Sequence, residues 1–191
     1  MNIGIDIDNV ISNFNEVLLS EYLIHDKELR GKGIINKNAE YIRKAMFDWS
    51  EIEEENFYKE NIERIARKLD LIEGAKEYIN KLHEDGNTIY IITGRDNGEY
   101  LEPYTMTKKW LDSHNIYYDN LILTNAYNKH EKSEKCIENN IDVIIDDSVS
   151  ICRECVNNGI TTLLMDTPYN KYEKSIPKVY NWKEIFEYII E

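Results

Sequence analysis

The sequence contains few of the residues that cross-link or loosen a chain. Of 191 residues, three are cysteine, three are proline and eight are glycine. Three cysteines cannot all pair, which argues against a disulfide framework and favours a reducing, cytoplasmic location. So little glycine and proline excludes collagen-like and Pro/Gly-rich disordered sequence. There is no signal-peptide pattern at the N-terminus and no apolar run of about 18 residues, so we expect no membrane association.

Basic residues are also scarce. The chain has 23 Lys and Arg against 36 Asp and Glu, a formal net charge of −13, and its sequence pI is about 4.8. Binding a phosphate backbone or an anionic membrane takes clustered basic side chains, so we expect neither a nucleic-acid polymer nor a membrane as partner. A small acidic molecule is compatible with this charge if something local reverses its sign.

Short apolar segments recur along the chain, and each is followed by a helical pattern. Several are almost continuous Ile, Val and Leu, as expected of strands buried on both faces of a parallel sheet. The segments are 3–7, 88–92, 121–123, 142–145 and 161–165. This alternation predicts an α/β fold with a doubly wound parallel sheet.

The first connection in this pattern is unusually long. Roughly 80 residues separate the first two predicted strands, whereas a strand–helix–strand unit needs only about 30. We therefore expect a core domain of residues 1–14 and 73–191 and a small helical cap of residues 15–72. An insertion after the first strand projects from the carboxyl end of the sheet, where such folds bind ligands.

Aromatic side chains in the predicted cap are candidates for substrate contacts. Phe47, Trp49 and Phe57 could stack on a base, as aromatic residues do in nucleotide recognition. The alternative is that they form the core of the cap itself.

Polar residues follow four of the predicted strands at the points where those strands end. Because the carboxyl ends of parallel strands share one edge of the sheet, we expect these side chains to converge. In chain order they are Asp6 and Asp8, Thr93 with Gly94 and Arg95, Lys129 or Lys132, and Asp146 with Asp147. Two carboxylates 4 Å apart repel by about 4 kcal/mol at an effective dielectric near 20, so four of them call for a cation. Mg²⁺ fits, because it takes carboxylates and also accepts phosphate oxygens.

This ordered set resembles the motifs of the haloacid dehalogenase-like phosphohydrolases. In that family one strand ends D-x-D-x-[TV], another ends in Thr or Ser, a Lys follows, and a further strand ends in an acidic pair. The segments IITGR, TKKWLDSHNIYYD, KCIENNIDVIIDDS and DTPYN are similar to bacterial nucleotidase sequences related to the 5′(3′)-deoxyribonucleotidases. The resemblance covers nearly the whole chain.

The resemblance implies an enzyme that hydrolyses phosphomonoesters, with nucleoside monophosphates as its leading substrate class. It implies that Asp6 is the nucleophile and Asp8 the general acid and base. Mg²⁺ would be held by Asp6, the backbone carbonyl of Asp8, and Asp147 or Asp146.

The remaining strand-end residues would bind the phosphoryl group. The resemblance gives this role to Thr93, Gly94 and Lys132, with Lys129 as the rival lysine. For Arg95 the sequence leaves two roles open, which are contact with phosphate and pairing with a carboxylate.

Three other functions compete with this interpretation. A phosphatase of the same family could act on a sugar phosphate or another small monoester. A signalling receiver domain also uses clustered Asp, Thr and Lys, but its order along the chain differs and it needs no long insertion. A non-catalytic relative of the same fold is a third alternative, against which the intact Asp6 and Asp8 argue.

Overall fold

One parallel sheet organises the structure, a computed structural model that describes residues 1–39, 41–44, 46–96 and 98–191. Within these residues the strands are Asn2–Ile5 (β1), Thr88–Thr93 (β2), Asn120–Leu123 (β3), Val143–Asp146 (β4), Thr161–Met165 (β5) and Lys178–Val179 (β6). Their order across the sheet is β3-β2-β1-β4-β5-β6, and all neighbouring pairs are parallel. The predicted doubly wound α/β fold is confirmed.

Helices connect and cover these strands. They are Phe14–Leu29 (α1), Glu51–Ala66 (α2), Ala75–Glu84 (α3), Pro103–His114 (α4), Glu131–Glu138 (α5), Val149–Asn157 (α6) and Trp182–Ile190 (α7). No helix in the described ranges has the length and apolar character to cross a membrane.

The central strand β1 is packed tightly on both sides. Ile3 and Ile5 are completely buried, and β1 pairs with β2 on one side and β4 on the other. Gly4 lies opposite Ile144, where an added Cβ would be 2.7 Å from the Cδ1 atom of that residue. A larger residue here would therefore require the side chain of Ile144 to shift.

The long connection between β1 and α3 contains α1 and α2. Helix α2 begins with a capping box, in which the Ser50 side chain accepts from the Glu53 backbone and the Glu53 carboxylate accepts from the Ser50 backbone. The two helices meet through Tyr22 and Phe57, whose ring centroids are 4.7 Å apart. Helices in this connection agree with the expected insertion, while the domain boundaries at residues 15 and 72 stay a prediction.

Candidate active site

A tight turn after β1 places Asp6 and Asp8 at the carboxyl edge of the sheet. The backbone N–H groups of Ile11 and Ser12 both donate to the carbonyl oxygen of Ile7, each at 2.9 Å. Asn9 adopts a left-handed conformation with φ of 65°, which asparagine tolerates better than most residues. The turn follows the end of β1 at Ile5, so it holds Asp6 and Asp8 at the carboxyl edge of the sheet.

Lys132 lies between two of the predicted carboxylates. It is in the first turn of α5 and only 2% exposed, and its Nζ donates to Asp6 Oδ1 at 2.8 Å and to Asp146 Oδ2 at 2.6 Å. Burial alone would lower the pKa of Lys132, but the charges of Asp146 and Asp6 raise it above its ordinary value. Lys129, the rival candidate, is exposed to solvent. The lysine at the site is therefore Lys132.

Three carboxylates form a group that suits a hard metal ion. Asp6, Asp146 and Asp147 each offer an oxygen, and these atoms lie within 4.8 Å of one another. Burial raises the pKa of Asp6 to about 7 and raises that of Asp147 well above its usual range. With Lys132 as its paired cation, the group carries a formal charge of −3 + 1 = −2 when ionised. Oxygen ligands with excess negative charge fit Mg²⁺.

Asp8 is held apart from this group by Arg95. The guanidinium donates from Nε to Asp8 Oδ2 at 3.1 Å and from Nη2 to Oδ1 at 2.5 Å. Ser12 Oγ donates to the same Oδ1 at 3.2 Å. Of the two roles left open for Arg95, the structure has the pairing with a carboxylate.

Thr93 ends strand β2, and Gly94 follows it, at the same edge of the sheet as these acidic groups. Thr93 is fully buried, and its Oγ1 has no hydrogen-bond partner among the described residues. A buried hydroxyl without a partner is rare and suggests a place for a ligand atom. A Cβ added to Gly94 would be 3.2 Å from the Cα and Cβ of Ala126, so a larger residue would require Ala126 to move by a few tenths of an ångström.

The three aromatic candidates lie inside the insertion. Phe47 is 2% exposed and Phe57 is 4% exposed. Both pack around Tyr22, on which Trp49 stacks at a centroid distance of 4.6 Å. The Trp49 indole donates to the buried carboxylate of Asp26 at 2.8 Å. These rings therefore form an interior cluster of the insertion, and their contact with a substrate base stays a prediction.

A polar network that the sequence did not indicate joins the insertion to the core. Arg43 Nη1 donates to Tyr127 Oη at 2.7 Å, and that hydroxyl donates to Glu99 Oε1 at 2.5 Å. The Arg43 guanidinium also lies 4.4 Å from the ring centroid of Tyr58. These contacts tie the long connection after β1 to residues that follow β2 and β3.

Asn9 is a second site residue that sequence reasoning missed. Its amide donates to Asp147 Oδ2 at 2.9 Å, and its Oδ1 accepts from the backbone of Asn15 at 2.7 Å. Asn9 thus links the Asp147 carboxylate to the start of α1. Its position directly after D-I-D is the only signal that could have drawn attention to it.

The order of these side chains along one edge of a parallel sheet defines a class, the haloacid dehalogenase-like phosphohydrolases. A hydrolase of that class from Streptococcus pneumoniae has the same fold, with a TM-score of 0.66, 16% identity and coverage of 98% of this chain and 97% of the other. Another, from Geobacter sulfurreducens, has a TM-score of 0.63, 13% identity and coverage of 98% of both chains. At this identity the likeness shows the fold.

Within that class the sequence matches one family along its whole length. Residues 1–191 match the family described as 5′ nucleotidase, deoxy (Pyrimidine), cytosolic type C protein, and the chain belongs to this family. A nucleotidase of Clostridium acetobutylicum is 27% identical over 97% of this chain and 92% of its own length. A candidate 5′(3′)-deoxyribonucleotidase of Chlorobaculum tepidum is 22% identical over 98% and 89%. The protein is thus a phosphomonoester hydrolase, as the sequence motifs predicted.

Proposed function

We propose that this protein is a Mg²⁺-dependent nucleotidase that transfers the phosphoryl group of a nucleoside monophosphate first to Asp6 and then to water. One observation carries the proposal. The Asp6 carboxylate lies 2.8 Å from Lys132 Nζ in a group with Asp146 and Asp147, while Asp8, two residues away, has a separate cation. Two neighbouring carboxylates in different electrostatic surroundings are suited to different chemical roles.

In the first step an oxygen of Asp6 attacks the phosphorus atom in line with the ester bond. The bond between phosphorus and the ester oxygen breaks, and Asp8 in its acid form gives its proton to that oxygen, so the nucleoside leaves as an alcohol. The Thr93 hydroxyl, the Gly94 backbone and the Lys132 ammonium hold the phosphoryl oxygens as charge redistributes.

In the second step a water molecule clears the aspartyl-phosphate. Asp8, now a carboxylate, takes a proton from the water as its oxygen attacks phosphorus, and the bond from phosphorus to Asp6 breaks. Inorganic phosphate leaves and Asp8 is protonated again. Asp6, Asp146 or Asp147 and the Asp8 backbone carbonyl would hold Mg²⁺, which would supply the positive charge that an anionic phosphate needs in order to approach these carboxylates.

The family supports nucleotides as the substrate class, and so do the names of the two relatives. In this proposal residues 15–72 act as a cap whose aromatic side chains Phe47, Trp49 and Phe57 contribute to the base site. A cytoplasmic location is part of the same proposal, and it is supported by three cysteines that are buried and unpaired.

The test is a phosphate-release screen over nucleoside monophosphates and sugar phosphates, with Mg²⁺ and with a chelator. We expect nucleotides to be the better substrates, and we expect both chelation and Asp6→Asn to abolish release. Asp112→Asn is the matched control, because Asp112 also pairs with a lysine, Lys108 at 2.8 Å, but on an exposed helix surface.

Two outcomes would contradict parts of the proposal. Full activity of Asp6→Asn would overturn the nucleophile assignment. Preference for a sugar phosphate over every nucleotide would overturn the substrate class and leave the chemistry standing.

A further inference from the structure

We propose that Arg95 is the positioning residue of Asp8, holding its carboxylate where it can exchange a proton with the leaving group and away from the metal-binding carboxylates. This inference rests on the proposed function, because it needs Asp8 to be the proton donor. Its basis is the forked contact of Nε and Nη2 of Arg95 with the two oxygens of Asp8.

The fork fixes more than a distance. Two parallel hydrogen bonds from a planar guanidinium set both the position and the plane of a carboxylate, which a lysine ammonium cannot do. Ser12 Oγ adds a third donor to Asp8, and Ser12 is completely buried in the turn after β1. Asp8 is therefore held from two strands at once, since Ser12 follows β1 and Arg95 follows β2.

Arg95 is itself immobilised. It is 1% exposed, and its guanidinium carbon lies 5.7 Å from the centroid of the buried Trp110 ring. A buried arginine between an aromatic ring and a carboxylate has few alternative rotamers, so the orientation that it gives to Asp8 is well defined. A positioning role requires this rigidity, because a misplacement of about 1 Å can cost roughly 100-fold in rate.

The two buried cations divide the acidic residues between them. Lys132 contacts Asp6 and Asp146, whereas Arg95 contacts Asp8. Among the described residues, the group of closely spaced carboxylate oxygens accordingly contains Asp6, Asp146 and Asp147 but not Asp8. Without Arg95, Asp8 could turn toward that group and act as a further metal ligand, and its proton-transfer role would be lost.

A competing role for Arg95 is direct binding of the phosphoryl group. Its Nη1 is buried and has no hydrogen-bond partner in the described part of the chain, so one donor remains for a ligand. The two roles differ in a measurable way. Loss of a phosphate ligand lowers kcat/KM for every phosphomonoester. Loss of the proton donor lowers kcat/KM only for esters whose leaving group needs a proton, because the hydrolysis step, in which Asp8 acts as a base, follows release of the leaving group and does not enter kcat/KM.

The experiment compares kcat/KM of Arg95→Gln for a nucleoside monophosphate and for 4-nitrophenyl phosphate. The first releases an alkoxide that needs a proton, and the second releases a stabilised phenolate that does not. General acid catalysis contributes about 10²–10⁴-fold, so we expect kcat/KM to fall by about 100-fold for the nucleotide and by less than about threefold for the aryl ester. Both constants are measured on one preparation, so their ratio does not depend on how much of the variant is folded.

Matched variants complete the design. Arg64→Gln removes another two-bond arginine–carboxylate contact, with Glu21 at 2.9 and 2.6 Å, and should leave the ratio unchanged. Arg95→Lys keeps the charge without the fork, and we expect it to recover only part of the nucleotide activity; it also serves as the test if Arg95→Gln does not fold. In an Asp8→Asn background, Arg95→Gln should not lower any further the ratio of kcat/KM for the nucleotide to kcat/KM for the aryl ester.

Each remaining outcome has a distinct meaning. Equal losses on both substrates would overturn the positioning role and assign Arg95 to phosphate binding. If Asp8→Asn changes the ratio but Arg95→Gln does not, this inference fails and the proposed function stands. If Asp8→Asn leaves the nucleotide reaction intact, the proposed role of Asp8 fails, and the inference fails with it.

Discussion

Replacing Asp6, the proposed nucleophile, with asparagine is expected to stabilise the metal-free protein at neutral and alkaline pH while it abolishes activity. Asp6 is 6% exposed, and its carboxylate lies in the same group of oxygens as those of Asp146 and Asp147. Burial raises its pKa from 3.8 to about 7, against the opposing charge of Lys132. Folding therefore favours the neutral form of Asp6 over its charged form, compared with the unfolded chain.

The size and sign of the effect follow from this pKa. A group with a higher pKa in the folded state contributes stability that is complete below its unfolded pKa of about 3.9 and is lost as pH rises through about 7. A shift of about 3 units corresponds to about 4 kcal/mol at 1.36 kcal/mol per unit. Asparagine resembles the neutral acid at every pH, so the Asp6→Asn variant avoids this loss. Its advantage should grow from about 1–2 kcal/mol at pH 5 to about 4 kcal/mol at pH 8.

Urea unfolding in the presence of a chelator at pH 5, 6, 7 and 8 measures this difference. The Asp112→Asn variant provides the control, because Asp112 is exposed and its removal should give no gain that grows with pH. An Asp6→Asn variant that is less stable than wild type at pH 8, or equally stabilised at pH 5 and pH 8, would refute the reasoning. Mg²⁺ should reduce the advantage, since it stabilises the charged form of the native site.

Two further substitutions test the buried polar groups. Thr93→Val removes the proposed phosphate donor and should lower kcat/KM by about 100-fold. It should leave stability unchanged or raise it by about 1 kcal/mol, because the hydroxyl is buried without a partner among the described residues. Phosphate release and denaturant unfolding measure the two effects, and a stability loss above about 2 kcal/mol would contradict the second. Lys132→Met should destabilise the metal-free protein by about 3–5 kcal/mol in thermal unfolding, because Asp6 and Asp146 lose their buried counter-charge. The exposed Lys129→Met is the control, and an equal effect of both would contradict the assignment.

The sequence predicted those parts of the fold that have a local signal. Five strands were recognisable because a buried parallel strand is almost continuously apolar, and β1 to β5 overlap the predicted segments. The sixth, Lys178–Val179, was missed because two residues carry no pattern of their own; its register comes from pairing with Leu164 and Met165. The first strand also ends at Ile5 rather than at residue 7, since the turn around Ile7 begins there.

The site was predictable only where position along a strand was enough. Polar residues at strand ends must converge in a parallel sheet, which is why Asp6 and Lys132 were identified although they are 126 positions apart. Contacts between individual side chains were not predictable in this way. Nothing local links Arg43 to Tyr127, which are 84 positions apart and join the insertion to the core.

The aromatic residues of the insertion show a different limit. A phenylalanine that stacks on a substrate and one that packs beneath it have the same sequence pattern. Phe47 and Phe57 proved to be buried around Tyr22, and only the packing of the helices could show that. The packing of these rings around Tyr22 is thus observed, whereas their contact with a substrate base stays a prediction.

The distribution of charge connects the stability of this protein to its chemistry. The chain carries a formal charge of −13, but what matters is where two buried cations lie. Arg95 balances Asp8 one to one, whereas Lys132 faces three carboxylates, Asp6, Asp146 and Asp147. One side of the site therefore has one cation for its carboxylate, and the other has more carboxylates than cations. Ionisation of this second group destabilises the metal-free fold, and for the same reason the ionised group favours a divalent cation, which in the proposed mechanism a dianionic phosphate needs in order to approach Asp6. In the proposed mechanism the side with Arg95 keeps Asp8 available for proton transfer, because a carboxylate that is paired with a cation has no electrostatic reason to join the carboxylates that would hold the metal.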